Sequence, residues 1–121
     1  MAQEGAGKAP PVKALIVLNI DTGKVVGSVP IGERVDAGFF DPTTKLVLNS
    51  CGDGTVSVVR QVSPDNYTAT ETIKTRTGSK TMGCDPKTKR LFVPAAEFKA
   101  ATRSTRPTVV PGTFVVLVYG P

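Results

Sequence analysis

A five-residue motif occurs twice in this chain, and its spacing limits the folds that the chain can adopt. Residues 41–45 read Asp-Pro-Thr-Thr-Lys and residues 85–89 read Asp-Pro-Lys-Thr-Lys, so the two copies start 44 residues apart. Asp and Pro favour tight turns, and each copy separates two short runs of β-forming residues. The motif therefore predicts a repeated unit made of short strands and turns.

Further turns within the repeat complete the pattern of strands. Residues 46–59 form two β-prone runs on either side of a Gly-Asp-Gly turn, a strong signal for a β-hairpin. Asp-Thr-Gly-Lys at 21–24 and Ser-Pro-Asp-Asn at 63–66 separate strand-like runs in the same way. A period of about 40 to 50 residues with four strands per unit is typical of propeller blades. We therefore predict an all-β fold of antiparallel four-stranded blades.

Residues 46–58 also resemble a known repeat. They read Leu-Val-Leu-Asn-Ser-Cys, then Gly-Asp-Gly, then Thr-Val-Ser-Val. This is similar to the YVTN-type β-propeller family, in which Tyr-Val-Thr-Asn is followed by such a turn and by Thr-Val-Ser-Val. Leu46 and Leu48 stand where the family has Tyr and Thr. The resemblance covers residues 15–120 and implies the C-terminal portion of such a propeller, about two and a quarter blades.

The blade pattern divides the chain into predicted units. With strands labelled A (innermost) to D (outermost), the predicted order is CD-ABCD-ABC in an incomplete ring. Each blade buries its faces only against its neighbours, so we expect self-association, or other propeller blades, to cover the open ends. The predicted units are a flexible leader (1–13) and a partial propeller (14–121), divided into a half blade (14–32), a full blade (33–78) and a last blade without its outer strand (79–121) that contains a loop (97–111).

Two sets of charged residues are candidate sites. In a propeller, ligands bind at the mouth of the central channel, which innermost strands and their loops line. The candidates there are Arg34, Asp36, Lys80 and Glu97. The second set is a basic patch in the long loop, formed by Lys99, Arg103 and Arg106. A net charge of +5 favours anionic partners, including nucleic acid, but ordinary solvated loop charge is the preferred interpretation of each of these residues.

The sequence predicts no catalytic residue, metal or cofactor. It has no histidine, which excludes a histidine base and a Ser-His-Asp triad, and its two cysteines lack the spacing of a zinc site. We predict a non-catalytic binding or scaffold module, with another copy, a protein, a small ligand or nucleic acid as partner. The alternative is the C-terminal part of a lactonase-type or lyase-type propeller enzyme whose catalytic groups lie in other blades.

The two cysteines are compatible with two redox states. Cys51 and Cys84 are either reduced thiols or, in an oxidising compartment, a disulfide. The chain has no apolar run as long as a signal peptide or a membrane span. The family resemblance implies a periplasmic or secreted protein.

Overall fold

The computed structural model describes residues 13–99 and 106–120, and within these ranges every regular element is a β-strand. The all-β prediction is confirmed. No helix long and apolar enough to cross a membrane is found in the described ranges. The strands are β1 (Ala14–Leu18), β2 (Val25–Pro30), β3 (Val35–Asp41), β4 (Leu46–Cys51), β5 (Thr55–Ser63), β6 (Asn66–Lys74), β7 (Gly83–Cys84), β8 (Leu91–Ala95), β9 (Phe98–Lys99), β10 (Thr108–Val109) and β11 (Val115–Tyr119).

These strands form four sheets, and every pairing is antiparallel, as the sequence predicts. Strands β1 and β2 form a hairpin, β3 to β6 form a four-stranded sheet in chain order, and β11, β8 and β7 form a three-stranded sheet in that order. The fourth sheet is the short pair β10 and β9. None of the four sheets closes on itself.

The two copies of the repeated motif fold into the same turn. Lys45 and Lys89 have φ angles of 62° and 63°, and each donates its backbone N–H to the carbonyl of the motif's Asp, at 2.8 Å in both cases. The carboxylates of Asp41 and Asp85 also accept the backbone N–H two residues later, at 3.0 and 2.9 Å. The motif therefore encodes one turn geometry, which connects β3 to β4 and β7 to β8.

The main hydrophobic core lies between the four-stranded and the three-stranded sheets. Val56 of β5 packs with Leu91 and Val93 of β8, and all three side chains are buried. Leu48, Ile73, Met82, Cys84, Leu117 and Tyr119 surround them. Each fully buried aliphatic side chain contributes about 1.5–3 kcal/mol, so this core is the main stabilising contact between the two sheets.

The β1–β2 hairpin packs on the opposite face of the four-stranded sheet. Ser57 alternates with Val56 along β5, and its hydroxyl accepts the backbone N–H of Gly32, just after β2. Strand β2 also lies against β6. A Cβ at Gly27 would stand 3.2 Å from Tyr67 Cδ1, so a glycine permits this close approach. Val56 and Ser57, on opposite faces of β5, are both buried, so the centre of the four-stranded sheet is covered on both faces.

The segment predicted as a loop, 97–111, contains an additional element. Strands β9 and β10 pair there, Phe98 opposite Val109 and Lys99 opposite Thr108. Thr and Val favour extended backbone, which accounts for β10. The predicted leader lies outside the described residues except for Lys13, and so does Arg103 of the predicted basic patch.

Both cysteines are free thiols in this structure. Cys51 lies beside the Gly-Asp-Gly turn, opposite Thr55, while Cys84 lies opposite Leu91 at the other end of the sheets. Burial raises the pKa of both thiols. Their positions at opposite ends of neighbouring sheets account for the absence of a bond between them.

Candidate functional site

A cavity of about 1050 Å³ lies at one end of the sheets, and its described wall combines five basic side chains with apolar surface. Its apolar surface comes from Ala96, Phe98, Pro107 and Val110. One carboxylate, Glu97, lies among the described lining residues. The basic residues that line the cavity are Arg34, Arg76, Lys80, Lys99 and Arg106.

The antiparallel topology explains why residues distant in sequence meet at this cavity. In a sheet of sequentially paired antiparallel strands, alternate connections fall at the same end. The β2–β3 connection, the β4–β5 turn and the β6–β7 connection all lie at this end, and the chain arrives there again after β8. These four segments supply Arg34, Gly52, residues 76–78 with Lys80, and residues 96–99 of the wall.

Arg34 is fixed to the Gly-Asp-Gly turn by two hydrogen bonds. Its carbonyl accepts the backbone N–H of Gly52, and its Nη2 donates to the Gly52 carbonyl, both at 2.8 Å. Arg34 has a φ of 56°, a conformation that costs a non-glycine residue about 1–3 kcal/mol. One of its five guanidinium donors is used in this bond, and no other hydrogen bond from this guanidinium to a described residue is found.

Arg34 and Lys80 lie side by side over the bare backbone of Gly52. A Cβ at Gly52 would stand 3.2 Å from Arg34 Nε and 3.3 Å from Lys80 Cε. The backbone of Lys80 is anchored because its carbonyl accepts the Ser50 hydroxyl. The ion pairs among the described residues are Lys13 with Glu33 and Lys89 with Asp41, so neither cation over Gly52 is paired with a described carboxylate. An anion placed between them would offset their mutual repulsion.

The ring of Phe98 lies next to this pair of cations. Gly78 donates its backbone N–H to the Gly52 carbonyl at 2.8 Å, which makes the two glycines neighbours. A Cβ at Gly78 would stand 2.8 Å from Phe98 Cε2 and 3.1 Å from Cδ2, so the ring rests against Gly78. Phe98 remains 42% exposed. The cavity therefore presents two cations and an aromatic ring on adjacent glycines.

Two carboxylates, Glu97 and Asp53, partly offset the positive charge of the basic side chains at the cavity. Glu97 is held by its backbone, whose N–H donates to Thr113 Oγ1 at 3.0 Å and whose carbonyl accepts the Val110 N–H at 2.8 Å. Asp53 lies in the turn below Arg34. Burial by itself would raise the pKa of Asp53, but hydrogen bonds from Thr55 and from the Glu33 N–H, with the charge of Arg34, lower it. Asp53 is thus ionised, and both its oxygens already accept hydrogen bonds.

The structure places the predicted site residues as follows. Asp36 lies outside this wall: it is exposed on β3, in the irregular stretch between Val35 and Gly38. Arg103 falls outside the described residues. The two sets that the sequence analysis treated separately meet at one cavity, because Arg34, Lys80 and Glu97 line it together with Lys99 and Arg106.

Sequence reasoning missed Phe98, Arg76 and the role of the two glycines. The topology was a usable signal for Arg76, since the β6–β7 connection lies at the same end as the β2–β3 connection that carries Arg34. Phe98 had no comparable signal, because β9 belongs to a segment that does not follow the repeat.

Comparison with known proteins adds no identification. No family model, curated protein or solved structure matches the chain. The resemblance to the YVTN-type repeat rests on the sequence motifs alone. In the described part of the chain, no group of three or more metal-ligating residue types is arranged to hold a metal ion.

Proposed function

We propose that this chain is a non-catalytic binding module built from propeller-type blades and that the basic cavity is its site for an anionic ligand. The observation that carries the proposal is the convergence of five basic side chains on one cavity whose described wall contains a single carboxylate. The wall is built from four segments that are distant from one another in sequence: the β2–β3 connection, the β4–β5 turn, the β6–β7 connection and the chain after β8. Like charges brought together repel one another, and a bound anion would offset that repulsion.

The packing of the sheets supports the propeller-type arrangement. The sheets built from β1–β2, β3–β6 and β7, β8 and β11 have two, four and three strands, and they pack face to face in chain order. Neighbouring propeller blades pack in this manner. The repeated turn adds support, because the sheets that share it meet through a single core.

The chemistry of the cavity favours an anion with several oxygen atoms. Arg34 offers a rigid planar group with free donors, and Lys80 adds a flexible ammonium beside it. Charge-assisted hydrogen bonds of this kind contribute about 1.5–3 kcal/mol each. Lys99, Arg76 and Arg106 make no ion pair with a described carboxylate, so they add to the positive potential at the same site.

The test compares two substitutions that relieve the same backbone strain. Arg34→Gly removes the guanidinium at a φ of 56°, and Lys45→Gly removes an ammonium at a φ of 62° in the distant turn. Pyrophosphate binding is measured by calorimetry at two salt concentrations. We expect Arg34→Gly to weaken binding roughly tenfold or more and Lys45→Gly to leave it unchanged. Added salt should weaken binding to the wild-type chain. Equal affinities for the two variants, or no binding to the wild type, would contradict the proposal.

We also propose that the outer face of the three-stranded sheet receives another copy of the chain. Phe92 of β8 lies opposite Val118 of β11, and Val116 lies two residues before Val118 on the same face. All three are exposed, while the alternating residues Val93 and Leu117 pack in the core. Covering this apolar face would remove hydrophobic surface from water.

A further inference from the structure

We propose that the ligand of the cavity is a phosphate ester that carries a planar ring, the chemistry of a mononucleotide, with its phosphate at Arg34 and Lys80 and its ring on Phe98. This inference rests on the proposed function, since it names the class of anion that the cavity binds. Three features of the wall support it.

The first feature is the closeness of the two cations, Arg34 and Lys80, to the ring of Phe98. The Gly52 carbonyl accepts the Gly78 N–H, so the cations over Gly52 and the ring over Gly78 lie on directly bonded neighbours. A ligand must therefore present its charge and its ring close together. A phosphate joined to a ring through a short linker meets this requirement, because stacking on an aromatic side chain and ionic hydrogen bonds can then form at once.

The second feature is the apolar part of the wall. Phe98 is 42% exposed, and Ala96, Pro107 and Val110 extend the apolar surface around it. An inorganic anion would contact the basic residues and leave this surface in water. A ligand with a ring would cover it, and burial of apolar surface would add to the ionic contacts.

The third feature is the combination of size and charge. A cavity of about 1050 Å³ is at the upper end of the range for sites that hold organic ligands, and it far exceeds a phosphate ion. Glu97 places a hydrogen-bond acceptor in the same wall. A ring system with amino or hydroxyl groups can donate to that carboxylate, whereas a bare polyphosphate can only be repelled by it.

The test uses three probes that separate charge from ring. ADP, pyrophosphate and adenosine are titrated into the full chain, and binding is measured by calorimetry. We expect ADP to bind on the order of tenfold more tightly than pyrophosphate, because the ring adds stacking. Adenosine, without phosphate, should bind more weakly than either.

Substitution of the aromatic residue locates the stacking. Phe98→Leu should reduce ADP affinity to that of pyrophosphate, with pyrophosphate affinity unchanged, and Phe98→Tyr should retain the preference for ADP. Phe114→Leu is the matched control, because Phe114 is 66% exposed and lies outside the described wall. Circular dichroism and unchanged pyrophosphate binding confirm that each variant is folded.

The outcomes separate this inference from the proposed function. Equal affinities for ADP and pyrophosphate would overturn the inference and leave an anion-binding module. Adenosine binding as tight as ADP binding, or an equal loss in Phe98→Leu and Phe114→Leu, would also overturn it. Failure of both charged probes to bind would remove the proposed function as well.

Discussion

Lys89 Nζ lies 2.8 Å from Asp41 Oδ2 and joins the two copies of the repeated turn. The Asp41 side chain is only 6% exposed, and it also accepts the hydroxyls of Thr43 and Thr44. The hydrogen bond from Lys89, followed by those from Thr43, holds the pKa of Asp41 well below its usual range. Lys45 occupies the equivalent turn position but makes no ion pair with any described residue. The motif thus forms the same turn in both copies, but only the lysine of the second copy, Lys89, also links the three-stranded sheet to the four-stranded sheet through an ion pair with a described residue.

Lys89→Gln should therefore lower the urea concentration at the midpoint of unfolding, and Lys45→Gln should have a much smaller effect. The folded-state pKa of Asp41 is depressed, so its ionised form stabilises the fold at pH values above the unfolded-state pKa of about 4. This contribution declines progressively as the pH falls from that value towards the lower folded-state pKa. The difference in urea midpoint between the wild type and Lys89→Gln should therefore be largest at pH 6 and smaller in acid.

Urea unfolding at pH 6 and at pH 3 measures this effect, with Lys45→Gln as the matched control because its backbone and turn are the same. A difference between wild type and Lys89→Gln that stays constant with pH would show that Asp41 is not the linked group. Equal losses in the two lysine variants would show that the turn, not the ion pair, determines the effect.

Glu97→Gln should strengthen anion binding at the cavity. Glu97 is the carboxylate of the described wall, and its removal leaves Asp53, in the turn next to Arg34, as the carboxylate that offsets the charge of the five basic side chains. We expect pyrophosphate affinity to rise several-fold at low salt, on the order of 1 kcal/mol, and the gain to shrink as salt screens the charges.

Asp36→Asn is the control for Glu97→Gln. It removes the same charge from an exposed position on β3 that does not line the cavity. An equal gain in both variants would indicate a general effect of net charge and would argue against a localised site.

Val118→Ser should reduce self-association. Val118 is 54% exposed on the outer face of the three-stranded sheet, where we propose that another copy packs. Light scattering over a dilution series should give a lower mass for the variant than for the wild type. Val62→Ser provides the comparison, because Val62 is 59% exposed at the end of β5. A wild-type chain that is monomeric at all concentrations would contradict the proposal, and so would equal effects of the two substitutions.

The sequence predicted the elements whose structure is local. Asp41 and Asp85 specify their turns through bonds to residues two to four positions away, and Gly-Asp-Gly returns β4 onto β5, so both signals are readable from short stretches. Arg34 and Lys80 were identified because the β2–β3 and β6–β7 connections that carry them lie at the same end of sequentially paired antiparallel strands. The short pair of β9 with β10 depends on residues nine and eleven positions apart with no repeat to mark them, and Phe98 was missed for that reason.

Gly78→Ala should disturb the site more than a glycine substitution at an open position. Gly78 has a φ of +90°, and its added Cβ would stand 2.8 Å from the Phe98 ring, whereas Gly23 has a φ of +71° and no atom within 4 Å of its added Cβ. Both substitutions place a side chain at positive φ, at a cost of about 1–2 kcal/mol. Only Gly78→Ala also displaces the ring. We therefore expect both variants to lose a similar amount of stability in urea from the strained backbone, and Gly78→Ala to lose more because its methyl group displaces the ring. The preference for ADP over pyrophosphate should fall in Gly78→Ala alone. An unchanged preference in that variant would mean that the position of Phe98 over Gly78 does not determine ring binding.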